Sequence, residues 1–267
     1  MGRYFFLALL FCGLSVPHLA YAGAWTLPKG DGQLISTVVY SNAARAFDAD
    51  RGAGAVVDFL KTEQSVYLEH GLTSRATVVA SGALQDISYI ARDGRQQYSG
   101  LGTSRIGLRY GLKPRGAWVL SVQPSVVIPA GGESVPDADL GRGGLGGELR
   151  MLAGRNIKVL GHDGFIDIQT AFDYRSGDAP EQVMIDGTLG ADITPKLQIL
   201  GQAFAQYTTS GQFGADQVLE NDSVRLQGSI VWRYSETSSL QLGAFQTVIG
   251  RNTVRQQGVS LGVWQRF

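Results

Sequence analysis

The chain has 267 residues, with 23 basic and 23 acidic side chains, 44% apolar residues, 36 glycines and one cysteine. A neutral balance excludes the basic face that nucleic-acid binding requires, and a lone cysteine excludes a disulfide framework. Glycine is spread along the chain rather than gathered in a linker, and after the N-terminus no apolar run is long enough for a membrane-spanning helix.

The N-terminus carries Arg3, the apolar run Tyr4–Leu14, Pro17 and the small-residue pattern Ala20-Tyr21-Ala22. A basic start, an apolar core too short to cross a bilayer and an A-x-A-like site predict a cleaved secretory leader over 1–22. Residues 23–267 then form one domain. Cys12 lies inside the leader behind Phe11, which argues against a lipoprotein cleavage box. The mature chain has no thiol and a net charge of −1 once Arg3 is lost. Exported without a disulfide, it must hold together by hydrogen-bond ladder and packing alone.

From there the sequence alternates. Twelve segments carry a period of two, near 33–46, 59–70, 75–86, 101–112, 117–129, 144–153, 164–175, 181–191, 197–207, 222–234, 239–248 and 255–267. Each is long enough for the roughly nine to eleven residues of a tilted transmembrane strand. Ile106, Leu108, Tyr110 and Leu112 alternate with Arg105, Gly107, Arg109 and Gly111. Ile166, Ile168, Phe172 and Tyr174 alternate with Asp167, Gln169 and Asp173, and Val224, Leu226, Ile230, Trp232 and Tyr234 with Arg225, Gln227, Ser229 and Arg233. The segment 75–86 has no decisive parity, and Gln64 and Pro124 fall on apolar-parity positions. Proline removes a ladder bond, so Pro124 weighs against the register drawn there.

The connections alternate too. Gly71–Ser74, Lys113–Gly116, Asp192–Lys196 and Ser235–Ser238 are tight and Gly154–Asp163 is somewhat longer, whereas 47–58, 87–100, 130–143, 176–180, 208–221 and 249–254 are generally longer. Short turns at one rim and long links at the other are the asymmetry of outer-membrane barrels, and an even strand count puts both termini at the periplasmic rim. Tyr110, Trp118, Trp232, Tyr234 and Phe267 fall beside that rim, and Tyr40, Tyr174 and Tyr207 near the other, as two headgroup belts require. The expected fold is all-β: a transmembrane antiparallel up-and-down barrel of about twelve strands. Its surroundings are outer-membrane lipid and lipopolysaccharide. The terminal strand Gln257–Phe267 ends on an aromatic residue, which resembles the signal that bacterial outer-membrane barrels present to their assembly machinery and marks Phe267 as that signal.

The second parity is polar. Lys61, Glu63, Glu69, Arg105, Arg109, Glu148, Arg150, Asp167, Asp173, Asp186, Arg225 and Arg233 fall on it, with Gln123, Gln169, Gln198, Gln202, Gln206, Gln227 and Gln241. Arginine facing lipid at the midplane costs about 2–4 kcal/mol, so this parity faces a lumen. Mixed charge there either forms a constriction that selects solutes or knits a salt-bridge and amide network that fills the barrel. Eight strands leave room only for side chains and sixteen leave a channel; twelve stands between.

One resemblance rests on the series beginning Trp25-Thr26-Leu27-Pro28-Lys29-Gly30-Asp31-Gly32-Gln33-Leu34-Ile35, continued by Gly71-Leu72-Thr73-Ser74-Arg75, by Ser104–Tyr110 and by Gln123–Gly131. These residues resemble the outer-membrane barrels grouped as transporters of the phenol-degradation meta-pathway. The resemblance implies a passive barrel that admits a small, often hydrophobic or aromatic solute. It carries over no binding residue. An enzyme is the rival class, but its acid–base constellation is missing. The mature chain has only His70 and His162, beside Glu69 and Asp163, and adjacent strand residues point to opposite faces. No metal motif or cofactor fingerprint occurs; Asp137 and Asp139 before the glycines at 141–147 are the nearest approach to a cation loop. A structural or adhesive barrel with a plugged lumen is the third class.

Overall fold

In a computed structural model, residues 23–91, 94–129, 144–176, 181–209, 211–213, 216–218 and 220–267 are described. The expected leader and Asp137 and Asp139 lie outside them. The strands are β1 (Gly32–Phe47), β2 (Ala53–Thr73), β3 (Ala76–Ala91), β4 (Gly94–Leu101), β5 (Ser104–Gly111), β6 (Val119–Ile128), β7 (Gly146–Val159) and β8 (His162–Arg175). They continue as β9 (Gln182–Thr194), β10 (Leu197–Thr208), the short hairpin β11 (Gly211–Phe213) and β12 (Asp216–Val218), then β13 (Asn221–Arg233), β14 (Ser238–Arg251) and β15 (Gln257–Arg266). Every pairing is antiparallel, and β1 pairs with β15 as well as β2, so the main sheet closes on itself. Closure leaves no edge, which a bilayer demands.

The barrel has twelve staves, because β4 and β5 form one stave broken at Gly102 and Thr103. Leu84 faces Leu101 while Ser81 faces Arg105, so three residues oppose two. This is a β-bulge. It flips the parity: Leu101 points out before it and Ile106 after it. A link expected over 87–100 is therefore mostly strand, as is much of 47–58, since β2 begins at Ala53. The link 154–163 shrinks to a two-residue turn, Leu160-Gly161, with φ of 49° and 88°. Two positive φ values make it a hairpin turn whose twist matches the strands.

Alternation decides which face each residue takes. Leu108 is 41% exposed on the outer wall and Arg109 is 2% exposed inside. The same alternation leaves Ile168, Phe172 and Tyr174 outside and buries Asp167 and Asp173. Pro124 does lie on the outer face, and the register through it is unbroken: Gly107 faces Ser125 and Tyr110 faces Val122. Between those pairs the β5–β6 ladder is interrupted, where proline has no N–H to give. Outside, Tyr110, Trp232, Tyr234 and Phe267 ring the lower rim, which carries the described chain ends and the short turns. Tyr40, Tyr174 and Tyr207 ring the upper rim. At the lower seam, Gly32 and Phe267 exchange backbone hydrogen bonds of 2.6 and 3.0 Å. The Phe267 ring covers Gly32, where a Cβ would clash with it, and stacks on His70 of the next strand at 6.5 Å.

Candidate functional site

The interior divides into two walls and a floor. On one wall the strands β2, β5, β7, β8 and β9 send in opposite charges that meet directly. Arg105 bonds Glu148 at 3.0 Å and Asp173 at 2.9 Å, and Arg150 bonds Glu148 at 3.0 Å and Asp186 at 2.7 Å. Arg109 reaches Glu69 at 2.7 Å, donates to Gln123 at 3.1 Å and to the Tyr67 hydroxyl at 2.8 Å, and Tyr67 in turn donates to Glu69. Glu69 is 1% exposed. Buried charges persist only when paired and hydrogen-bonded, and every guanidinium here has at least two partners. The result is a cross-linked wall rather than acid facing base across a gap.

The second wall is built mainly of amides and hydroxyls, with Arg225 of β13 among them. From β9 across β10, β13 and β14 to β15 runs a hydrogen-bonded ribbon: Gln202 donates to Thr188, Gln227 to Gln202 and to Ser229, Gln241 to Ser229, and the Trp264 indole to Gln241. Beside it lies a cavity of about 240 Å³. Its lining includes Gln202, Gln227 and Gln241 on this wall and, across β1 and β2, Ser41, Lys61 and Glu63. Lys61 pairs with Glu63 at 3.1 Å, and Glu63 also accepts from Gln85 at 2.7 Å. Arg225, also at the cavity, lies between the rings of Phe204 and Phe245 at 4.8 and 5.0 Å. Arg233 stands apart at the lower rim, bonded to Asp192 at 2.8 Å and to the Pro195 carbonyl.

The floor is made by residues that strand periodicity does not reveal. Residues 23–31 enter the lower mouth and dock on inward side chains. Ala24 N–H donates to Asp167 at 2.8 Å, Leu27 N–H to the Thr77 hydroxyl at 2.9 Å, and Arg109 donates to the Trp25 carbonyl at 3.2 Å. Trp25 meets Phe165 edge to face at 6.1 Å and packs against a buried cluster of Phe165, Leu200, Val231 and Trp264. Its ring passes over Gly154, where a side chain would collide with it. Gly30 and Gly71 close the segment against β2 through backbone bonds. Its sequence signals are a tryptophan outside any alternating run and the series from Trp25 that carries the family resemblance, and neither gives its docking.

The two histidines stand apart from any general-base geometry. His70 lies against Phe267 while Glu69 points inward to Arg109, and His162 is exposed beside the Leu160-Gly161 turn. Among the described residues no three His, Cys, Asp or Glu side chains gather as metal ligands.

No family model matches the chain, and no curated protein matches it. Solved structures do. The chain is similar to an outer-membrane channel from Pseudomonas putida F1, with a TM-score of 0.67 at 14% identity over 91% of this chain and 98% of that one. It is similar to the NanC porin, with a TM-score of 0.55 at 9% identity over 86% and 98%. It also resembles the translocator domain of the autotransporter NalP from Neisseria meningitidis, with a TM-score of 0.53 at 11% identity over 90% of each. At these identities what is shared is the outer-membrane barrel fold.

Proposed function

We propose that the protein is a passive outer-membrane channel for a small hydrogen-bonding solute. The observation that carries this reading is a cavity of about 240 Å³ inside a closed barrel, lined by amides, hydroxyls and charged groups. The family resemblance implies a hydrophobic or aromatic solute, but this lining rewards a solute that can exchange hydrogen bonds, with Phe245 as its apolar face. In this reading Lys61, Glu63 and Arg225 touch the solute. Arg105, Arg109, Glu148, Arg150, Asp167, Asp173, Asp186 and Arg233 shape the lumen and stiffen it. The lower rim faces the periplasm after export, the upper rim meets lipopolysaccharide, and Phe267 serves the assembly machinery.

The test is refolded protein in planar bilayers, with liposome swelling in small polyols beside it. Discrete conductance steps and polyol-dependent swelling are expected. Silent bilayers from protein that is folded by heat-modifiability would sink the channel reading and favour a structural barrel. That second reading draws support from the docked segment 23–31 and the Arg109–Glu69 pair, which occupy the lower interior.

A further inference from the structure

We infer that the lower mouth holds a binding site for the chain's own α-ammonium group, built on Asp167 and filled once the bond between Ala22 and Gly23 is cut. This rests on the leader reading of residues 1–22, and it is independent of whether the barrel conducts.

Inward acids on this barrel have cationic partners: Glu63 has Lys61, Glu69 has Arg109, Glu148 and Asp173 have Arg105, Asp186 has Arg150 and Asp192 has Arg233. Asp167 is 3% exposed and, among the described residues, forms no ion pair. Its carboxylate accepts from two neutral donors, the Ala24 N–H at 2.8 Å and the Gln169 amide at 2.7 Å. Arg109 acts on it only from beyond hydrogen-bond reach, its guanidinium being bonded to Glu69, Gln123, Tyr67 and the Trp25 carbonyl. A carboxylate buried this deeply without a cation in direct contact is costly. Something positive belongs beside it.

Gly23 is what lies beside it. A Cβ on Gly23 would fall 2.0 Å from an Asp167 carboxylate oxygen, so the glycine backbone is pressed against the acid. Its φ of 84° lies in the left-handed region that side chains avoid. In the uncut chain the Gly23 nitrogen, one bond from the Cα that meets the acid, is a neutral amide. Hydrolysis adds one water across the Ala22–Gly23 amide: the C–N bond breaks, the oxygen goes to a new Ala22 carboxylate, and the amine left on Gly23 takes a proton at neutral pH. The ammonium then appears where the carboxylate waits. Processing thus supplies a cation in direct contact and fastens Trp25 on Phe165, so that docking of the segment is coupled to removal of the leader.

Protein isolated from membranes and kept folded in detergent tests this. Mass spectrometry identifies the first residue, and an amine-acylating reagent then reads the reactivity of its α-amine. In folded protein the Gly23 α-amine should react about tenfold more slowly than in heat-unfolded protein, while exposed Lys158 reacts alike in both. Asp167→Asn should bring the folded rate up to the unfolded one. Because that variant can also fold poorly, one alanine inserted between Ala22 and Gly23 is a second probe. It leaves Asp167 in place, displaces the ammonium, and should abolish protection in protein that remains heat-modifiable. A first residue other than Gly23 overturns the proposal through the leader reading. A Gly23 α-amine equally reactive folded and unfolded, or equally protected in Asp167→Asn, overturns the Asp167 site with the leader reading intact.

Discussion

Arg109 joins β5 to β2, to β6 and to the docked segment through Glu69, Tyr67, Gln123 and the Trp25 carbonyl. Replacing it with alanine strands Glu69 in a buried, uncompensated state, so Arg109→Ala should cost about 3–5 kcal/mol. Adding Glu69→Gln should recover part of that loss, since the second change removes the stranded charge. Denaturant unfolding of the two variants in detergent reads both numbers, and equal stability for single and double variants would mean water already reaches Glu69. A gain is expected at Leu160, which is fully exposed at a φ of 49°. Leu160→Asn creates Asn-Gly, the sequence that this turn type prefers, and should stabilise the barrel by about 0.5–1 kcal/mol in the same assay. At this scale the sequence revealed that Arg109 faces inward, because alternation is local. It did not reveal that Glu69 is its partner, because that contact depends on which strands become neighbours.

Most of the strands were legible, and the illegible ones share a physical cause. Where one face meets lipid and the other a polar interior, as along Ile106–Leu112 or Val224–Tyr234, the period of two stands out. Toward the upper end the inward face of β1, β2 and β3 is itself apolar, with Ala43, Phe59 and Ile87 buried together and Val57 and Tyr89 packed on them, so the contrast between faces fades and the stretch from Ala53 reads as a link. In β4 and β5 the bulge reverses parity midway, so no single phase fits both halves. The docked segment has no period at all; Trp25 is explained only by Phe165, far along the chain. A depth scale follows for β15. Val263 is four residues from Phe267 on the lower belt and four from Val259, the partner of Tyr40 on the upper one. Val263→Arg should therefore destabilise by about 2–4 kcal/mol, and Val259→Arg by about 0–1 kcal/mol. Equal penalties would place the belts elsewhere.

Across the whole molecule, paired charges and the docked segment leave the amide-rich wall as the open side of the lumen. Deleting residues 23–30 removes the floor while leaving the staves, so unit conductance in planar bilayers should rise; an unchanged step size would mean that the conducting path avoids the floor. Lys61→Glu places two acids at the cavity and should shift ion preference toward cations, read as a change in reversal potential under a salt gradient. The seam has a consequence in time as well as in shape. Gln33 pairs with Arg266, so the contact that completes the ladder joins positions near opposite ends of the chain. Contacts so remote in sequence form late, after most of the loop entropy has been surrendered. Until β15 reaches β1, both β1 and β15 expose adhesive strand edges. The half-made barrel is therefore the most aggregation-prone species on the route, and the rate at which this last strand is captured, rather than the depth of the final minimum, governs the yield of folded protein.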